Sequence, residues 1–334
     1  MSQTSRNTAA TVALCLLVLG CSALAQCSEL GNYALVHPFG LSSATTTREA
    51  GMGGPLSCVW DRGFANPAFA AMQDAPNVSL GLSSTDFDRG PDVVSSHGHL
   101  VFPLRENING LQVSIFSLHS NSGLLPGGGG IFVDMAEDDL SIHYGHRLSP
   151  KLVAGIGMSP GSELKLGMWA PGGVPIMDMK AESDYGARVG LAYERTPGEQ
   201  WGLVYDYYQE TVEGAGIVFG GLVSQAFHTD LLAVGVSKYL YPNLLVAAEY
   251  QEGSSSAGAT EGTLAGWHFG AECCVTPRWS LRAGLNDQNP TVGVGYRGEK
   301  LELDYAFVKD WNDEIARNVF GGSETHQLQA IYEW

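Results

Sequence analysis

The sequence predicts an all-β fold, a transmembrane antiparallel β-barrel of about 14 strands with an amino-terminal plug, or hatch, in its lumen. Three observations predict it. Short runs with a period of two recur from Asn77 to the end of the chain. Their large, aromatic-rich face lies opposite a small or charged one, which suits a cylinder with lipid outside and water inside. The last run, Thr325 to Trp334, alternates polar and apolar residues and stops on an aromatic.

Residues 1–25 read as a secretory signal peptide. TVALCLLVLGCSALA (11–25) is a short apolar run after Arg6, and Ala23-Leu24-Ala25 before Gln26 forms a small-residue cleavage site. The run is shorter than the roughly 20 apolar residues a membrane helix needs. Val18-Leu19-Gly20-Cys21 also partly fits a lipoprotein box, so a lipidated Cys21 is an alternative mature end. Beyond the leader remain Cys27, Cys58, Cys273 and Cys274, which an exported protein can oxidise. A Cys27–Cys58 bridge and inert thiols are both compatible with the spacing.

Residues 26–76 carry little periodicity and many Gly, Pro, Ser and Thr residues, so they form the plug, and 77–334 form the barrel. The predicted strands are 77–84, 96–104, 110–118, 138–146, 151–159, 184–194, 200–210, 228–239, 243–251, 264–273, 278–286, 291–297, 300–308 and 325–334. Glu163–Ala170 reads either as a further strand or as part of a long loop hairpin. Tyr185, Val189 and Tyr193 oppose Gly186, Arg188 and Glu194, and Leu301, Leu303, Tyr305 and Phe307 oppose Glu302, Asp304 and Ala306. In the last strand Leu328, Ala330, Tyr332 and Trp334 point one way and Gln327, Gln329 and Glu333 the other, with Ile331 as the exception. Gly127–Gly130 and Gly253–Thr263 read as flexible loops, and Ser149-Pro150-Lys151 and Tyr241-Pro242-Asn243 as tight periplasmic turns. Strands can cross hydrocarbon only as a closed cylinder, because every backbone N–H and C=O must be paired internally.

The formal charge is −17, so the surface repels phosphate backbones and nucleic acid is excluded as a partner. GxSxG, P-loop and HExxH motifs are absent, which speaks against an enzyme. The inward charges Arg188, Glu194, Asp206, Glu249, Glu272, Arg282, Glu302 and Asp304 read as lumenal networks tying plug to wall, with selectivity as the other reading. His97 and His99 share a strand face and need a third ligand from a neighbouring strand before they can hold a metal. None is identifiable, nor for His143 with His146, so no metal or cofactor is assigned. Asp134, Glu137, Asp138 and Asp139 read as an acidic loop, solvated or holding a divalent cation.

Two motifs in the plug carry a family resemblance. Gly51-Met52-Gly53-Gly54 is followed by Asn66-Pro67-Ala68 and then by the first barrel strand. Proline fixes φ and removes a donor, while asparagine bonds back to the chain, a combination suited to a tight turn in a wet lumen. The order of these elements, with the last two strands, resembles the FadL-like outer-membrane family, which includes fatty-acid transporters, aromatic-hydrocarbon channels and PorV-type secretion proteins. Pro55 and Trp60-Asp61-Arg62 depart from the family pattern. The resemblance implies an outer-membrane protein with a hatch at Gly51, Gly53, Gly54, Asn66, Pro67 and Ala68 that passes hydrophobic small molecules. Its partners would then be membrane lipid and the ligand, and the alternative is a PorV-like component binding secretion-system proteins. The aromatic end, Tyr332 and Trp334, resembles the signal read by the barrel-assembly machinery. A soluble secreted β-sandwich or adhesin is a third reading.

Overall fold

The computed structural model describes residues 46–54, 56–60, 66–88, 92–105, 108–120, 123–124, 132–171, 173–215, 223–257, 260–309 and 322–334. The leader, Cys27 and Gly127–Gly130 lie outside these residues. Alternating β-branched and aromatic residues give the strands β1 (Asn77–Phe87), β2 (Val93–Arg105), β3 (Asn109–Ser120), β4 (Gly123–Leu124), β5 (Phe132–Ser149), β6 (Leu152–Ala170), β7 (Val174–Thr196) and β8 (Glu199–Ala215). There follow β9 (Val223–Tyr241), β10 (Leu244–Ala257), β11 (Thr260–Cys274), β12 (Trp279–Asn286), β13 (Asn289–Arg297), β14 (Leu301–Lys309) and β15 (Ser323–Glu333).

Each long strand pairs antiparallel with its sequence neighbours, β15 pairs with β1, and β3 pairs with β5. The two-residue β4 sits beside the outer end of β5, so the closed wall has 14 strands. A single closed sheet leaves no sandwich interface, which removes the secreted β-sandwich reading. Closure pairs the backbone of the first strand with that of the last from Asn77↔Glu333 to Phe87↔Ser323. The two-residue turns at 150–151, 197–198 and 242–243 lie at the end that also holds Asn77 and Trp334. The wall is tallest at β7, with 23 residues, and lowest at β12, with 8.

The outer face carries Leu80, Leu82, Val189, Leu191, Trp201, Tyr205, Trp267, Phe269, Leu303 and Leu328, all exposed. Inward positions of the same strands hold Ser79, Arg188, Asp206, His268, Asp304 and Gln329. Ile331 also points inward and is buried, as the alternation of β15 requires. Tyr332 and Trp334 stack at the closing seam with ring centroids 6.4 Å apart.

Three predictions are corrected. Gly253–Thr263 is not a loop: β10 runs to Ala257 and β11 starts at Thr260, with Ser254↔Thr263 in register. Glu163–Ala170 is the outer half of β6, and Asp134–Asp139 belong to β5 rather than to a loop. These segments rise past the apolar band, where neither face needs to be greasy and the period of two fades. His143 and His146 fall on opposite faces because their spacing is odd: His143 is buried in the lumen, whereas His146 stacks on Tyr144.

Candidate functional site

The described part of the amino-terminal segment, 46–60 and 66–76, packs against the inner face of the wall. It begins with a one-turn helix, α1 (Thr47–Gly51), closed by a capping box in which Thr46 Oγ1 accepts from Glu49 N and Glu49 Oε2 accepts from Thr46 N, both at 3.2 Å. Gly53 (φ 101°) and Gly54 (φ 123°) then reverse the chain in the left-handed region. The GMGG run therefore ends α1 and turns the backbone across the lumen. Asn66 caps a short 3-10 helix, Pro67–Met72, by accepting from Ala68 N at 3.0 Å. Its amide nitrogen donates to Ser57 O and to Leu191 O of β7, each at 2.9 Å. The predicted NPA turn is thus a clasp joining two parts of the segment to the wall.

Bare wall backbone makes this packing possible. A Cβ on Gly202 would lie 2.1 Å from Ser57 O, one on Gly270 2.2 Å from Met52 O, and one on Gly284 2.3 Å from the Met52 carbonyl carbon. Gly110, Gly145 and Gly155 are equally bare beneath the 3-10 helix, where a Cβ on Gly110 would come within 1.9 Å of Ala70 O. These glycines occupy inward positions of separate strands and form a belt that sequence reasoning did not single out. The legible signal was glycine at inward positions of successive runs.

Four of the predicted lumenal charges hold or brace the segment. Glu272 receives Arg48 of α1 through bonds of 2.6 and 2.9 Å and Arg282 at 2.7 Å, and Arg282 reaches Asp304 at 2.5 Å. Arg48 also donates to Trp60 O at 2.7 Å. Glu249 accepts from Ser57 N at 2.5 Å and from the Ser57 hydroxyl. Arg188 instead forks onto Asp206 of the adjacent strand, at 2.5 and 2.7 Å, and Glu302 pairs with Arg297 at 3.0 Å. Glu194 is exposed at the short-turn end. Arg48 and Ser57 are anchors that the sequence reading missed. Cys58 is a free thiol buried against Gly235, and burial, then the Glu249 carboxylate, pushes it well above its ordinary range. Such a thiol is inert while the segment stays docked.

The segment divides the lumen. On the short-turn side a cavity of about 350 Å³ is lined by Val59, Trp60, Met72, Leu245, Arg278 and Arg297 among others. Toward the long-loop end, inward-facing Phe87, Val93, Phe116, Leu118, Leu164, Ile176, Met179 and Phe227 form a buried apolar cluster. An apolar ligand path was expected, but its residues were not identified from the sequence. In β6 and β7 the alternation shifts by one across irregular pairing at 159–163 and 183–185, turning Leu164 and Met179 inward. Among the described residues no group of three His, Cys, Asp or Glu side chains could hold a metal ion. The rings of His97 and His99 lie with centroids 5.1 Å apart and planes tilted by 33°.

A closed 14-strand antiparallel wall, apolar outside and partly filled within, defines the architecture of an outer-membrane β-barrel. Among solved structures the chain is similar to the toluene transporter TbuX of Ralstonia pickettii, at 16% identity and a TM-score of 0.60, covering 88% of this chain and 98% of that one. It is also similar to the monoaromatic hydrocarbon channel CymD (16%, TM-score 0.59, 87% and 98% covered) and to a FadL homologue of Pseudomonas aeruginosa (12%, TM-score 0.57, 86% and 98% covered). No protein-family model and no curated relative matches the sequence. At these identities the likeness shows the fold, and these neighbours give no support to the PorV-like secretion alternative.

Proposed function

We propose that this barrel sits in the outer membrane and admits hydrophobic small molecules, with the segment 46–76 acting as the hatch. The observation that carries the reading is the buried apolar cluster inside the lumen, directly in line with a segment that closes the path beneath it. Membrane contact already satisfies the outer face, so apolar side chains on the inner face need another apolar partner. The solved neighbours described as toluene and monoaromatic hydrocarbon channels support a ligand of that kind. The polar anchors of the segment support a gate, since hydrogen bonds and ion pairs to the wall can be exchanged for water without tearing the barrel. No covalent chemistry is involved. Liposomes carrying the purified protein will take up a hydrophobic solute faster than bare liposomes. Equal rates across fatty acids and aromatics would remove the proposal.

A further inference from the structure

The inner face of β15, β1 and β2 carries a polar strip along the lower border of the apolar cluster. Register sets its rows. Gln327, Ser83, Ser95, Leu118 and Glu137 lie side by side on β15, β1, β2, β3 and β5. One row below stand Gln329, Gly81, His97, Phe116 and Asp139. The ring of His97 leans across the bare backbone of Gly81, where an added Cβ would lie 2.0 Å from Nε2. Ser83 and Ser95 satisfy each other at 2.6 Å. Where these rows cross β15, β1 and β2, two buried polar atoms have no hydrogen-bond partner among the described residues: His97 Nε2, on a side chain 6% exposed, and Gln327 Oε1, on one 5% exposed. Buried polar atoms without partners are uncommon because each carries its full desolvation cost.

We propose that the upper lumen recognises a neutral, mainly apolar molecule bearing one hydroxyl, a phenol or a comparable alcohol, whose hydroxyl pairs with Gln327 or His97. This deepens the reading of the barrel as a hydrophobic-compound channel and rests on it. The apolar body of the ligand lies on Phe116 and Leu118, which stand in the two rows, and on Val93 and Phe87, one and two rows above them. Gln327 Oε1 is an acceptor and requires a donor, which a pure hydrocarbon lacks. A carboxylate brings only acceptors and a charge of the wrong sign: Glu137, Asp206 and Glu210 are buried on the same inner face, with Asp139 near them, while Arg188 is engaged by Asp206. A hydroxyl both donates and accepts, so it serves either atom whichever tautomer His97 holds. Sites built to bond a hydroxyl discriminate strongly against analogues without one, because their own polar groups are then left unpaired.

The test compares 4-ethylphenol, ethylbenzene and 4-ethylbenzoate, matched in size, for equilibrium binding to the detergent-solubilised full chain and for entry into proteoliposomes. The phenol should bind at least about tenfold more tightly than ethylbenzene, with the benzoate weakest. His97→Phe combined with Gln327→Leu should remove the preference. Gly81→Ala, which pushes the ring aside without removing a polar group, should lower it and serves if the double variant fails to fold. Ethylbenzene binding as tightly as the phenol to the unaltered chain would overturn the proposal, as would a preference that survives in a folded double variant. If the phenol binds selectively but none of the three enters faster than into bare liposomes, the site stands and the channel reading fails.

Discussion

Asn66→Ala isolates the clasp between segment and wall. Asn66 is buried and makes three bonds, to Ala68 N at 3.0 Å and to the carbonyls of Ser57 and Leu191 at 2.9 Å each. Truncation removes all three and leaves their buried partners to find water. At about 1 kcal/mol net per bond the docked segment loses about 3 kcal/mol, more if water cannot reach the orphaned groups. A loss of that size shifts a local opening equilibrium by about 100-fold. Hydrogen exchange of the amides in 46–60 and 66–72 reads this opening directly, because it reports local unfolding separately from that of the barrel. The expected result is exchange accelerated by roughly two orders of magnitude in those amides, with strand amides and heat-modifiable migration unchanged. Exchange in the segment within about threefold of the unaltered protein would show that the clasp does not hold it, and acceleration spread over the strands would show that Asn66 supports the wall instead.

Further outcomes follow from the same contacts. Glu249→Ala strands Ser57 N and its hydroxyl, so the Cys58 thiol, read by maleimide labelling with the other cysteines replaced by serine, should react at least about tenfold faster. Gly284→Val places a side chain where Met52 now lies, so a folded barrel with an exposed Cys58 and faster solute entry is expected from labelling and flux together. Deleting Trp334 should lower the amount of assembled barrel in the membrane, measured by heat-modifiable migration, while the protein refolded in detergent keeps its solute entry rate.

All fourteen predicted runs overlap observed strands, because where lipid lies on one side the period of two is enforced residue by residue. Their ends were less legible. Predicted 228–239 extends to Val223–Tyr241 and predicted 243–251 to Ala257, through Ser254, Ser255 and Ser256, which stand above the apolar band and carry no alternation. The segment announced itself through GMGG and NPA, whose backbone demands are local. Its partners were half legible: Glu249, Glu272, Arg282 and Asp304 stood out as inward charges, but which of them would meet Arg48 or Ser57 depends on how the segment threads the lumen. Part of the apolar cluster, Leu164 and Met179, was hidden by a shift of one residue in β6 and β7, and Phe87 and Val93 lie beyond the ends of the predicted runs. One such shift exchanges the inner and outer faces, so counting outward from the lower halves of these strands puts Leu164 and Met179 in lipid.

The central claim, that solute passes when the segment moves, is tested most directly by locking it in place. The ideal Cβ of a residue at 235 lies 3.2 Å from Cys58 Cβ, a few tenths of an ångström short of ordinary disulfide geometry, so Gly235→Cys should crosslink to the native Cys58 after a small adjustment. In a chain with Cys27, Cys273 and Cys274 replaced by serine, proteoliposomes should take up a hydrophobic solute at the bare-liposome rate when oxidised and recover the faster rate on reduction. Equal, accelerated uptake in both states, with the crosslink confirmed by mass, would contradict the account.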